Sequence, residues 1–208
     1  MAKQGGNRML QGYLAISLCM VGLSFSPLFY KLGFLTGLNA LWLNVLRIFL
    51  TVVILAGIAF SNPKYRKEIL GVSRRSFWIS ALGGTLLAFH LNGWALSLVY
   101  TDAFAASTIL GIYVLLTVLF AALILKEKTT KGALSGLFVA TAGVVICNLG
   151  GGFGQLSGNM LALFAAVTEA LYILCGRKAR RDMSTIAYTM ILYAFTLFWM
   201  IVMALFTG

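Results

Sequence analysis

Seven apolar runs, each close to the length that a helix needs to cross a bilayer, constrain this chain more than any other feature. A transmembrane helix takes about 20 apolar residues. Lipid offers no hydrogen-bond partner to free backbone groups, so each run is predicted to be helical. In chain order the predicted spans are residues 12–32, 40–60, 77–99, 103–125, 132–149, 160–175 and 186–206. The predicted fold class is an all-α, polytopic transmembrane helix bundle.

The composition agrees with a bilayer as the solvent of this chain. Hydrophobic residues make up 61% of it and charged residues only 10%, which is too little polar surface for a water-soluble globule of 208 residues. The net charge of +11 would suggest nucleic acid as the partner of a soluble protein. Here the charges lie between apolar runs, so we expect anionic lipid headgroups as the partner and no nucleic acid.

The distribution of basic residues predicts the orientation. All of the 16 Lys and Arg residues except Lys31 and Arg47 lie in the tail 1–11 or in the connections after the second, fourth and sixth spans. The positive-inside rule assigns those segments to the cytoplasm. The sequence therefore predicts a multi-pass protein of the inner (plasma) membrane with a cytoplasmic N-terminus and with Gly208 on the outer side.

A weak internal repeat points to two related parts of opposite orientation. Shifting the chain by 147 residues aligns Gly22 with Glu169 and Lys31 with Lys178, and it lays the first span over the sixth. Five spans separate the two copies, so the second copy starts from the other face of the membrane. We therefore expect a first five-helix repeat at 12–149, an outer loop at 150–159 and the first two helices of an incomplete second repeat at 160–208.

Three stretches resemble the ten-helix EamA-like transporters of the drug/metabolite transporter superfamily. Residues 101–128, TDAFAASTILGIYVLLTVLFAALILKEK, resemble the family's fourth span, and residues 131–146, KGALSGLFVATAGVVI, are similar to its glycine-spaced fifth span. Residues 159–178 fit the pattern of its sixth span. Two positions depart from the family pattern. Val114 follows Tyr113 where the family usually has Pro, and Glu169 stands where an aromatic residue is common.

The resemblance implies a function. It suggests a secondary active transporter that exports small metabolites, amino acids or drug-like compounds by alternating access, with a small molecule as the substrate. It also suggests that this chain is truncated after seven of the family's ten helices. The seven spans allow a homodimer in which two copies complement each other.

Polar side chains inside the predicted spans are the candidates for a substrate or coupling cavity, because ionisable groups are costly in a bilayer. Arg47, His90 and Glu169 share one depth, roughly 10 to 14 Å from the outer boundary at about 1.5 Å per residue. Burial favours a neutral Glu169 and a nearby Arg47 favours a charged one, a competition that suits proton coupling. Four further residues have a similar depth or suit a cavity wall: Asn44, Asn92, Trp94 and Tyr113.

Structural roles can also explain the same residues. Arg47 and Glu169 can form an ion pair that binds nothing, and Arg47 can instead extend toward headgroups. A single histidine is commonly hydrogen-bonded in a helix interface. The glycines of the fifth span, Gly132, Gly136 and Gly143, favour close approach to a neighbouring helix.

Other classes of function find less support in the sequence. Seven spans suit a membrane receptor or sensor, but the last span has no Lys for a retinal-type Schiff base. A rhomboid-like G-x-S-G, an H-E-x-x-H and a P-loop are missing, so we expect no enzyme, no cofactor and no metal. An accessory membrane protein that transports nothing remains the other alternative.

Overall fold

Helices fill the part of the chain that the computed structural model describes, which is residues 12–14, 17–18, 20–127, 131–149 and 156–207. These residues contain no β-strand, so the predicted all-α bundle is confirmed. The predicted tail 1–11 lies outside the described residues. The helices are α1 (Ser26–Leu35), α2 (Ala40–Ser61), α3 (Pro63–Leu70), α4 (Arg74–Tyr100), α5 (Ala103–Leu110), α6 (Tyr113–Ile124), α7 (Lys131–Leu149), α8 (Leu156–Ala179) and α9 (Thr185–Thr207).

Most of the predicted spans coincide with helices suited to a bilayer. Among the described residues, five stretches are long and apolar enough to cross one, and they are Ala40–Ser61, Arg74–Tyr100, Ala103–Ile124, Leu156–Ala179 and Thr185–Phe206. The shorter apolar helix Met20–Leu35 lies on the first predicted span, and α7 lies on the fifth. The chain is therefore a multi-pass membrane protein.

The outer loop predicted at 150–159 is too long at its C-terminal end. Helix α8 begins at Leu156, so residues 156–159 are helical. This turn is covered by the end of α4, because Gly158 packs against the backbone of Tyr100 and Thr101. The Thr101 hydroxyl also donates a hydrogen bond of 3.1 Å to Asn159 Oδ1. The rest of this loop, 150–155, lies outside the described residues.

Two of the predicted spans are locally irregular. In the first span a turn at Phe25 precedes α1, where Pro27 has no N–H to donate to the Leu23 carbonyl. In the fourth span Gly111 and Ile112 lie between α5 and α6, and both keep right-handed helical dihedrals. The Ile112 N–H bonds three residues back, to the Ile109 carbonyl, at 3.1 Å. The fourth span is thus one helix with a local tightening at its middle, although Val114 replaces the family's proline.

Helix α4 is the centre of the bundle. It packs along α8 and also contacts α9 and α2, while α5 and α6 pack against α8. The buried core between these helices includes Leu87, Leu91, Ile191, Leu192 and Met200. Helices α8 and α9, which the sequence places in a second repeat, therefore share one core with helices of the first repeat.

The closest helix contacts are made at glycines. These glycines differ from the three that the sequence analysis named. A Cβ on Gly84 of α4 would lie 2.3 Å from the Leu192 carbonyl oxygen of α9, and one on Gly176 of α8 would lie 2.9 Å from the Tyr188 hydroxyl. Within the described structure, no atom lies within 4 Å of a Cβ built on the α7 glycines 132, 136 and 143. The prediction of close approach at α7 is therefore wrong, because α7 lies at the edge of the described bundle.

The connections meet at two separate ends of the bundle. One end, named here the basic end, brings together 62–76, 125–127 and 177–184, where Glu127 pairs with Arg177 at 3.4 Å. The Ser76 hydroxyl donates a bond of 3.4 Å to Asp182 at the same end. The opposite end contains Lys31, whose ammonium group donates to the Leu98 carbonyl and, at 3.0 Å, to the Thr101 carbonyl. The helices thus run alternately between the two ends, as the basic clusters predict.

A short helix at the basic end was not predicted from the sequence. Helix α3 follows Asn62, whose side chain accepts from the Lys64 N–H, and it begins with Pro63. Its Glu68 carboxylate accepts hydrogen bonds from the Ser184 backbone N–H and, at 2.7 Å, from the Ser184 hydroxyl. These two bonds hold the pKa of Glu68 below its usual range. Helix α3 therefore links the second connection to the start of α9 by hydrogen bonds.

Candidate functional site

Two ionisable side chains meet between α4 and α8 in the interior of the bundle. His90 Nδ1 lies 3.7 Å from Glu169 Oε2, and the two side chains are 9% and 15% exposed. His90 is ten residues from the end of α4 at Tyr100, and Glu169 is near the middle of α8. The sequence placed both residues at one depth, and the structure brings them into contact.

The hydrogen-bond geometry of His90 defines where its hydrogen lies. Nδ1 is 3.0 Å from the Ala165 carbonyl oxygen, which can only accept a hydrogen bond, so Nδ1 carries the hydrogen. The distance of 3.7 Å to Glu169 is within the range of an ion pair when His90 is protonated, and it is longer than a hydrogen bond. Within the described residues Oε2 of Glu169 has no hydrogen-bond partner. The pair can therefore gain or lose a proton while the hydrogen bond between His90 and the Ala165 carbonyl of α8 stays in place.

Two tyrosines surround this pair. The Tyr172 ring lies 6.3 Å from the His90 ring, and Tyr172 follows Glu169 by one turn on α8. Tyr113 is the first residue of α6, directly after the irregular turn in the fourth span, and α6 packs against α8 near Glu169. Three helices thus contribute to one polar cluster, which contains His90, Glu169, Tyr172 and Tyr113.

A second polar cluster joins α1, α2, α4 and α9. Tyr30 donates its hydroxyl hydrogen to Asn44 Oδ1. The amide nitrogen of Asn44 donates to Asn92 Oδ1 at 2.9 Å and to the Leu91 carbonyl at 3.0 Å, and Asn92 Nδ2 contacts Met203 Sδ at 3.1 Å. Asn44 is fully buried, and every one of these contacts crosses a helix interface. Asn44 and Asn92 are therefore parts of the packing as well as candidates for a cavity.

Trp94 lies beside this second cluster and is buried. Its ring meets the Tyr30 ring edge to face with 5.3 Å between centroids, and it packs with Ala95 and Leu98. In the described part of the chain the indole N–H has no hydrogen-bond partner. Such an unpaired donor inside a membrane protein is costly, so it is suited to a bound group or a water molecule.

Arg47 does not pair with Glu169. Its side chain lines a cavity of about 350 Å³ between the first span and α2, and it lies within hydrogen-bonding reach of the Tyr30 hydroxyl. The ion pair considered from the sequence is therefore wrong, because Arg47 and Glu169 face different neighbours and His90 takes the position beside Glu169. The described lining of the cavity is Gly22, Leu23, Ser26, Phe29, Tyr30, Leu43 and Arg47.

Sequence reasoning missed Tyr30 and Tyr172. Tyr30 lies next to Lys31 close to the predicted end of the first span, a position typical of an interfacial tyrosine, so nothing in the sequence marked it as buried. Tyr172 had a usable signal, because residues three apart on a helix lie on the same face and Glu169 was already a candidate. The contact between α8 and α4 decides that this face is the inner one.

Comparisons with known proteins identify the family of this chain. The EamA-like transporter family model matches residues 10–149. A protein of Bacillus subtilis (strain 168) with the name "Uncharacterized transporter YyaM" is 34% identical over 135 residues, which cover 60% of this chain and 43% of that relative. No solved structure matches the chain. Since the family model covers well over half of its residues, the chain belongs to the EamA-like transporter family.

Proposed function

We propose that this chain acts as a proton-coupled secondary transporter of small organic metabolites, and that the His90–Glu169 pair carries the coupling proton. The observation that supports the proposal is the contact of 3.7 Å between these two side chains in the interior of the bundle. The family membership and the name of the B. subtilis relative support transport in general. The basic clusters favour the inner membrane with a cytoplasmic N-terminus.

The chemistry of the pair suits a proton carrier. A protonated pair, whether the proton lies on the carboxyl or on the imidazole, has no net charge. Loss of that proton leaves one negative charge in a low-dielectric interior, which is costly unless the surroundings rearrange. Protonation is thereby linked to a change of conformation, which is the requirement for coupling.

The local irregularity of the fourth span suits alternating access. Departures from regular helix near the centre of a membrane are common where transporters bind substrate. Here the irregular turn at Gly111 and Ile112 lies directly before the start of α6, which packs against α8 near Glu169. A change of charge on Glu169 can therefore act on the joint between α5 and α6. In this proposal the direction is export.

Proton-driven transport by purified full-length chain tests the proposal. Proteoliposomes receive an imposed proton gradient and a metabolite extract of the host cell, and mass spectrometry identifies the compounds that accumulate. We expect the wild type to accumulate at least one compound in a gradient-dependent way. Glu169→Gln should exchange that compound without responding to the gradient, because glutamine keeps the shape and cannot bind the proton.

A matched variant and a second substitution make the result specific. Glu127→Gln removes the same charge from the exposed pair with Arg177 at the basic end and should leave the gradient dependence intact. His90→Gln gives an independent variant of the same pair, and size-exclusion chromatography verifies that each protein is folded. Gradient-driven accumulation of equal extent in Glu169→Gln and the wild type would remove Glu169 as the coupling group. Wild-type protein that accumulates nothing would contradict transport itself.

A further inference from the structure

Arg47 is a cation at membrane depth for which the chain provides no anion. The sequence contains five Asp and Glu residues. Four of them lie at the two ends of the bundle, and these are Glu68, Asp102, Glu127 and Asp182. The fifth, Glu169, faces His90. The Arg47 side chain is exposed at this depth. Because an uncompensated charge within a bilayer is costly, its guanidinium is suited to an anion that comes from outside the chain.

The described residues around Arg47 satisfy only part of its hydrogen-bonding capacity. A guanidinium has five N–H donors and no acceptor. The Tyr30 hydroxyl lies within reach of it, and that hydroxyl donates onward to Asn44, which donates to Asn92. The donors in this series therefore all point away from Arg47 toward α9. The other donors of Arg47 remain available to the cavity that its side chain lines.

The cavity itself has the composition of a site for a small amphipathic molecule. Its volume of about 350 Å³ is within the range of small-molecule sites, which is roughly 300 to 1,000 Å³. Phe29 and Leu43 provide apolar walls, whereas Ser26 and Tyr30 provide hydroxyls near the one cation. A planar guanidinium binds a carboxylate through two parallel hydrogen bonds. One cation among apolar walls matches one anionic group on an apolar body.

We propose that this cavity binds a small organic monocarboxylate that carries a flat apolar group, with the carboxylate on Arg47 and the apolar group against Phe29 and Leu43. This inference rests on the proposed function, since it names the class of substrate that the transporter takes. The anionic head of a membrane lipid offers the same chemistry from another source, and the experiment separates the two sources.

Calorimetric titration of the purified full-length protein in neutral detergent tests the binding. The probes are phenylacetate and the neutral phenylacetamide, which has almost the same shape. We expect the protein to bind phenylacetate at least about tenfold more tightly than the amide, because the amide cannot form the charge-assisted hydrogen bonds to the Arg47 guanidinium. Equal affinity for the two probes would overturn the proposal.

Variants of Arg47 assign the binding to this cavity. Arg47→Gln should weaken phenylacetate binding about tenfold or more, and Arg47→Lys should retain part of it because the charge remains without the planar fork. Arg66→Gln removes one positive charge from an exposed position of α3 and should leave binding unchanged. Equal losses in Arg66→Gln and Arg47→Gln would show a nonspecific charge effect and overturn the site. A thermal unfolding scan of each variant checks its fold.

Two further measurements complete the test. The first distinguishes a lipid headgroup from a substrate, and the second distinguishes failure of this inference from failure of the proposed function. The titration is repeated in nanodiscs of phosphatidylcholine with and without phosphatidylglycerol. Binding of phenylacetate that persists in both supports a substrate site, whereas its loss with phosphatidylglycerol assigns the cavity to lipid headgroups and overturns the proposal. If Arg47→Gln binds normally while Glu169→Gln loses its gradient response, only the inference about the cavity fails.

Discussion

Glu68 illustrates how one carboxylate can fix the position of a whole helix. It lies on α3 and accepts two hydrogen bonds from Ser184, the residue directly before α9. The backbone N–H of Ser184 belongs to a helix start, where free N–H groups favour a negative partner. The first cause of the lowered pKa of Glu68 is the bond from that N–H, and the second is the bond from the hydroxyl. Folding therefore favours the charged form of this residue.

The pH dependence of stability should show this preference. A carboxyl with a lowered pKa in the folded state contributes stability that is fully present above its ordinary value of 4.5 and is lost as the pH falls through the lowered value. Melting temperatures in detergent between pH 7 and pH 3.5 should show wild type more stable than Glu68→Gln, with a difference that is constant above about pH 5 and shrinks below it. Lys67→Gln, a neighbouring change that leaves both bonds to Ser184, should show no such shrinking. A constant difference down to pH 3.5 would contradict the role of the Glu68 charge.

Among the elements, α4 and α9 depend on glycine for their contact. Gly84 lets the α9 backbone approach α4 so closely that the Thr196 hydroxyl donates to the Gly84 carbonyl at 3.0 Å. Close approach of this kind is how helices associate in a membrane, because lipid removes most of the hydrophobic driving force between them. A helix pair that contains such a glycine is therefore fixed in register.

Gly84→Ala should force this pair apart. The added methyl would lie 2.3 Å from the Leu192 carbonyl oxygen and 2.8 Å from Phe195 Cβ, so backbone has to move. We expect a loss of about 1–3 kcal/mol in unfolding free energy, measured by denaturant titration in mixed micelles. Gly57→Ala on α2 is the matched control, because no described atom lies within 4 Å of its added methyl, and it should be neutral or slightly stabilising. Equal effects of the two changes would rule out the close α4–α9 contact.

At the scale of the molecule, the two ends of the bundle differ in charge and in the contacts that hold them. Glu127–Arg177 and Ser76–Asp182 join helices at the basic end. Lys31 and Thr101 do so at the opposite end. Because every described connection belongs to one of these two ends, the orientation of one connection determines that of all the others.

Accessibility of single cysteines should report that orientation. On a background in which the three native cysteines are replaced, Arg66→Cys and Arg180→Cys should react with a membrane-impermeant maleimide only after the cells are permeabilised. Thr36→Cys at the opposite end, an exposed position, should react in intact cells, because positive connections remain in the cytoplasm. If Arg66→Cys and Arg180→Cys face different compartments, the arrangement of the spans described above is wrong.

The sequence predicted some residues of the candidate site but not how they pair. Glu169 and His90 were found because an ionisable group inside an apolar run is conspicuous whichever way it faces. Which of them meet was not predictable: Arg47 was considered as the partner of Glu169, and His90 has that place. In a uniformly apolar helix the sequence does not distinguish the face toward lipid from the face toward protein, since both are apolar.

The sequence by itself determined the class of the protein, the positions of its spans and their alternation between a basic end and an opposite end. It could do so because the bilayer requires every span to satisfy its own backbone, and because charge stays at the ends, whatever the helices pack against. Only the tertiary structure decided that α8 and α9 enter the core beside α4, that the first and fourth spans are locally irregular and that Arg47 lines a cavity with Tyr30. These features depend on which side chains and glycines of different helices fit together, and that fit is a property of the packed bundle rather than of any one span.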